Sequence, residues 1–165
     1  MVPLGLLAAQ KVGLLLTADN ALGQELNTLT ASANVSLPPI QPNQIVLTAV
    51  GPEIADKNAQ LTYPRICLYS TTIKNTHLEK FRSLSGSLSV SADVWASANL
   101  LQDVDQWIQF YVEATTAVLR LNTGDWGDGI FFSGAYDVQF QAPKAGGFGY
   151  VELGKVTCTL SVSRN

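Results

Sequence analysis

At 165 residues the chain is most simply one domain, long enough to bury roughly 70 % of its unfolded surface without a disulfide or metal staple. Lys plus Arg number 10 against 13 Asp plus Glu, and the net charge of −3 excludes a global basic field for gripping nucleic-acid phosphates. Charged residues are only 14 % of the chain against a usual ~25 %, so either copies of the chain cover much of its surface or Ser, Thr, Asn and Gln solvate a monomer.

In chain order, Pro3 suits a first helical turn, and Leu4, Leu7, Ala8, Val12, Leu15, Leu22, Leu26 and Leu29 carry an apolar stripe to about Ala31. Gly13 and Gly23 each cost a helix interior roughly 1 kcal/mol, so two helices broken near Thr17–Asn20 are the alternative. Pro38, Pro39 and Pro42 make 32–44 an extended connector on that helical segment, and 45–50 is a short strand. A polar loop, 51–62, carries Glu53, Asp56 and Lys57. Tyr63 to Ile73 is apolar or small on both faces, as in a strand central to its sheet.

After the polar turn 74–77, Leu84, Gly86, Leu88, Val90, Ala92 and Val94 alternate with Ser83, Ser85, Ser87, Ser89, Ser91 and Asp93, which predicts a half-buried strand with a wet hydroxyl face. It forms an antiparallel pair with the strand before it. The period then shifts: Leu100, Leu101, Val104, Trp107, Ile108, Tyr111, Val112, Val118 and Leu119 form the stripe of an amphipathic helix, with Ser97 as N-cap and 122–124 as the stop. Residues 125–129 make a glycine-rich turn, 130–141 a strand and 143–147 a loop. The last strand or pair is 148–163, with Gly154 as a bulge. The order predicts an α+β domain: a mixed or antiparallel sheet flanked by a long N-terminal helix and a central amphipathic helix.

Reactive groupings are sparse. His77, in a polar turn, has no nucleophile pattern around it, and Asp103 and Asp105 sit two apart on a helix and cannot share a face. Asp125 and Asp128 bracket residues that offer no further side-chain oxygens for calcium. Cys67 and Cys158 lie in apolar alternating segments, as buried thiols do, without metal-ligand spacing. The apolar start lacks a basic leader region and no run reaches the ~20 residues of a membrane span, so the expected compartment is the cytoplasm. Arg65, Lys74, Lys80 and Arg82 cluster near the first hairpin, whereas the central helix carries Asp103, Asp105 and Glu113: either a subunit-pairing asymmetry or surface noise. Trp95, on the polar face of its strand, and Trp126, at a turn, are expected to be exposed anchors.

Taken together, Tyr63-Pro-Arg-Ile-Cys-Leu-Tyr69, Phe81-Arg82, the 84–95 strand, the 100–119 helix, Trp126-Gly-Asp-Gly129, Ser133-Gly-Ala-Tyr-Asp-Val138 and Gly146-Gly-Phe-Gly149 resemble the neck proteins of tailed bacteriophages, most closely the tail-terminator or tail-completion group. The likeness covers the chain from about residue 60 onward. It implies a virion protein, made in the host cytoplasm, that assembles as a ring of usually six copies. Such a ring caps the tail tube, docks the head connector and lets genomic DNA pass without specific binding. It implies no catalytic residue, cofactor, metal or membrane. Expected contact residues are Glu53, Asp56, Lys57, Trp95, Asp125, Trp126, Asp128, Phe148 and Tyr150. The alternatives are a head-closure or tail-tube subunit, or a small carbohydrate-binding module using Trp95, Trp126 and Tyr150.

Overall fold

The computed structural model describes residues 2–49 and 62–165. The fold is α+β. Helices α1 (Leu4–Thr17) and α2 (Ala21–Ala33) form the N-terminal helical segment, and α3 (Leu101–Leu121) is the central helix. The strands are β1 (Ile45–Val46), β2 (Arg65–Asn75), β3 (Leu84–Ala98), β4 (Gly124–Asp125), β5 (Ile130–Phe140), β6 (Lys144–Gly146) and β7 (Gly149–Arg164). Among the described residues they form one mixed sheet in the order β1-β2-β3-β7-β5-β4, with β6 paired to β7. Only β1–β2 is parallel; the other pairings are antiparallel.

The N-terminal segment turns at Thr17–Asn20, but not at a glycine. Asp19 (φ 49°) and Asn20 (φ 54°) adopt the left-handed conformation, which short polar side chains tolerate best after glycine. Helices α1 and α3 cover one face of the sheet, and α2 packs on them. Leu68, Leu88, Val90, Val94, Val156, Leu160 and Val162 from the strands meet Ala8, Val12, Leu26, Val104, Ile108 and Val118 from the helices in a single core. The connector is tied to it by the Tyr111 hydroxyl, which donates to the Pro38 carbonyl at 2.5 Å, and by buried Ile40.

Several local expectations change. β2 is not central. Among the described residues its outer neighbour is β1 alone, which pairs with Ile66 and Cys67 and leaves the rest of that side without a strand. The sheet centre is instead the unbroken ladder between β3 and β7, from Leu84↔Arg164 to Ala98↔Tyr150. The hydroxyl face of β3 is wet only in part: Ser91, Asp93 and Ser97 are buried. Beyond Ser91 that face carries a second, smaller core of Cys67, Trp95, Val151 and Leu153, closed by Val46 and Tyr63. Residues 143–147 are not merely a loop, because Lys144–Gly146 pairs back onto β7 as a hairpin.

Ser97 does not cap α3. Its hydroxyl donates to the Tyr150 carbonyl at 2.9 Å and accepts from the Phe148 amide at 2.8 Å, which holds Ser97 in β3, and α3 starts after Leu100 without a side-chain cap. Gly154 stays in register opposite Val94, so it is no bulge. It lies close against α3, where an added Cβ would overlap Val112. The register shifts lie elsewhere, between Ser70 and Thr72 in β2 and between Phe132 and Tyr136 in β5, and such bulges bend a strand.

Candidate assembly surfaces

The turn at 125–129 is built from the backbone outward and pinned to α1. The Trp126 amide donates to the Ile130 carbonyl at 2.9 Å, and the Asp125 carboxylate accepts from the Gly127 amide at 2.8 Å. Lys11 of α1 donates to the Trp126 carbonyl at 2.7 Å and pairs with Asp128 at 2.8 Å, which holds the Asp128 carboxyl below its usual range. Trp126 is therefore not an exposed anchor. It is half-buried, its ring lies 5.1 Å from that of Phe132, and its indole nitrogen donates to the Asn122 carbonyl at 2.7 Å. Asp125 and Asp128 do reach the surface. Trp95 departs further from expectation: it is 1 % exposed, because the face assumed wet is covered by the 144–151 hairpin and Tyr63. Phe148 (61 % exposed) and Tyr150 (36 %) are at the surface as expected, the Phe148 ring standing edge-on to Tyr63. Glu53, Asp56 and Lys57 lie outside the described residues.

Two surfaces went unread in the sequence, and they occupy opposite ends of the central ladder. At the β2–β3 end, residues 76–83 form an ordered tip. The Thr76 and His77 amides both donate to the Ser85 carbonyl, the Arg82 guanidinium pairs with Glu79 at 2.9 Å, and the Ser85 hydroxyl donates to the same Glu79 carboxylate. This frame presents Leu78 and Phe81 at 98 % and 94 % exposure. Phe81 has φ 74°, a conformation costly for an aromatic residue and characteristic of functional positions. Lys74, Lys80, Arg82 and Arg164 surround the tip, against Glu79 and the Lys11-paired Asp128. The signal was two isolated apolar residues, Leu78 and Phe81, between the predicted 74–77 turn and the strand that begins at Leu84.

At the other end, Leu100 and Leu101, assigned to the buried helix stripe, are 54 % and 51 % exposed. With Gln102, Asp105 and Pro143 they line an open groove of about 670 Å³. Glu152, opposite Ala96 in the ladder, is buried beside it, and one of its carboxylate oxygens has no hydrogen-bond partner among the described residues. Burial, and then the charge of Asp105, push its pKa up to about 7. A carboxyl whose folded pKa exceeds its unfolded value stabilises the fold fully below about pH 4.5, and that contribution disappears as pH rises through 7. Glu152→Gln is thus expected to leave stability unchanged at pH 4. At pH 8 it should raise stability by about 2 kcal/mol, read from urea unfolding at the two pH values.

A cluster of ionisable groups lies on the helix-free face. The Tyr69 hydroxyl donates to Asp93 at 2.9 Å, Lys155 donates to that hydroxyl at 3.1 Å, and Lys155 lies 3.7 Å from the carboxylate. Burial raises Tyr69, and the Tyr69 hydrogen bond raises Lys155, so the phenol keeps its proton and the amine its charge. A general base needs the opposite shift. Burial raises Asp93 too, while Tyr69 and Lys155 pull it back toward the ionised form; its Oδ2 accepts from Tyr69, whereas its buried Oδ1 has no hydrogen-bond partner among the described residues. Burial likewise raises both Cys67 and Cys158, which makes them poor nucleophiles.

No group of three or more metal-ligating side chains occurs among the described residues, and no described helix is long and apolar enough to cross a membrane. The two end surfaces, one an exposed apolar tip and the other an open groove, have the geometry of contact sites. No protein-family model matches the chain, and no curated protein is significantly similar to it in sequence.

Proposed function

We propose that the chain is a structural protein of the neck of a tailed bacteriophage, which closes the tail tube and joins it to the head connector as a ring, six copies in the reading favoured by the resemblance. It is not an enzyme in this reading. It takes no cofactor and leaves DNA to pass through the lumen unbound. The observation that carries the proposal is the placement of two unlike apolar surfaces, the Leu78/Phe81 tip and the Leu100/Leu101 groove, at opposite ends of one rigid ladder. Unlike surfaces on one molecule associate head to tail, and such contacts close into rings when the rotation between copies permits. The sparse surface charge fits a chain covered by neighbours. A carbohydrate-binding module is less well supported, since Trp95 is buried and Trp126 half-buried, which leaves Tyr150 alone of its platform.

The test is the particle. In virions produced from the encoding genome, quantitative mass spectrometry is expected to find the chain at a fixed stoichiometry, and electron cryomicroscopy to place it as a ring between head and tail. Its absence from purified infectious particles overturns the proposal.

A further inference from the structure

We infer that the tip at 76–83 of one copy seats in the groove at Leu100, Leu101, Asp105 and Pro143 of a second copy of the same chain. The inference deepens the proposal above and rests on it only for the closing of successive copies into a ring. The contact itself stands on the two surfaces.

The tip offers an apolar pair, Leu78 and Phe81, on a hydrogen-bonded frame whose backbone holds Phe81 outward. The groove offers Leu100 and Leu101 on a floor open to solvent. Their charges are complementary. Lys74, Lys80, Arg82 and Arg164 surround the tip, whereas Asp105 lines the groove, with buried Glu152 near enough to feel its charge and Lys144 of β6 as the nearby cation. Asp105 is exposed at the groove, where a cation from a neighbour's tip can pair with it. A second copy is the occupant because each molecule carries both halves of this match. The ladder keeps the halves apart: β3 has 15 residues, and at about 3.3 Å per residue its ends lie too far apart for a chain to fill its own groove.

Two full-length variants, Phe81→Cys and Leu101→Cys, are mixed and oxidised; both positions are exposed, so the fold is retained. The expected product is a disulfide between one chain of each kind, formed at least tenfold faster than either homodimer. Homodimers as the main product, or mixed linkage no faster than with a thiol introduced at exposed Thr159, overturn the inference. A charge exchange gives a second readout. Lys80→Glu is expected to slow mixed linkage about tenfold, and Asp105→Lys in the partner to restore it. Slowing without restoration removes the charge match from the argument and overturns the assigned pairing. Mixed linkage in a chain missing from virions rejects the neck assignment and keeps the contact. A neck ring that leaves the tip in solvent does the reverse.

Discussion

Replacing Trp95 by alanine is expected to lower the free energy of unfolding by about 3–5 kcal/mol, as for other large buried aromatics. For a domain of this size that is a fall in Tm of roughly 6–20 °C, measurable by calorimetry. Trp95 is 1 % exposed and is the largest member of the small core on the helix-free face, where Cys67, Val151 and Leu153 are its partners. Those partners come from β2 and β7, so the cavity left by alanine lies between strands already fixed in register and cannot collapse. Trp95→Phe separates the ring's volume from its polar atom. The indole nitrogen has no hydrogen-bond partner among the described residues, so phenylalanine removes a buried, unsatisfied donor and is expected to cost less than about 1.5 kcal/mol. Were Trp95 a surface anchor, both substitutions would leave Tm unchanged.

Gly129→Ala is the second large effect, with an expected loss of about 3 kcal/mol. Gly129 has φ 73°, where an L side chain costs roughly 1–2 kcal/mol. Its missing Cβ also faces the Ser163 carbonyl so closely that strand β7 must shift, at an overpacking cost of about 1–3 kcal/mol. That shift breaks into the hydrogen bond from the Ser163 amide to the Gly129 carbonyl, 2.8 Å. Gly127→Ala isolates the first of these effects. Its φ is 78°, but the only atom near its Cβ position is the Lys11 ammonium at 3.7 Å, so an expected loss of about 1 kcal/mol measures backbone strain alone. Equal losses at the two glycines in chemical unfolding would deny the close approach of the turn to β7.

What the sequence made legible was periodic. The alternation from Leu84 to Val94, the three-and-four spacing after Leu101 and the stop at Asn122 are each local patterns, and the corresponding strand, helix and helix end are present. The positions that misled depend on partners far away in the chain. Ser91, Asp93 and Trp95 read as a solvated face because alternation reports only that two faces differ. Their burial comes from Tyr63, Val151 and the β6 hairpin, whose placement no window around residue 93 contains. Ser97 has the chemistry of a cap, but its hydroxyl is already engaged with the 148–150 backbone, donating to the Tyr150 carbonyl and accepting from the Phe148 amide. Strand β2 has the composition of a central strand, yet among the described residues its outer side is paired only at Ile66 and Cys67, by β1. The exposure of Leu78 and Phe81 was hidden for the converse reason: they follow the predicted 74–77 turn as isolated apolar residues, and no local period says that they stand in solvent.

The ladder between β3 and β7 also bears on how the chain reaches its native state. Every rung from Leu84↔Arg164 to Ala98↔Tyr150 joins residues separated by the whole of α3, β4, β5 and β6, so none can be won by local zippering. Chains whose contacts are this remote in sequence close their loops before they are rewarded, and they fold in milliseconds to seconds rather than microseconds. On the ribosome, the helical layer and the β2–β3 hairpin emerge with their apolar face bare until β7 follows. The interval before that last long strand docks is when the polypeptide is most open to mispairing with its siblings.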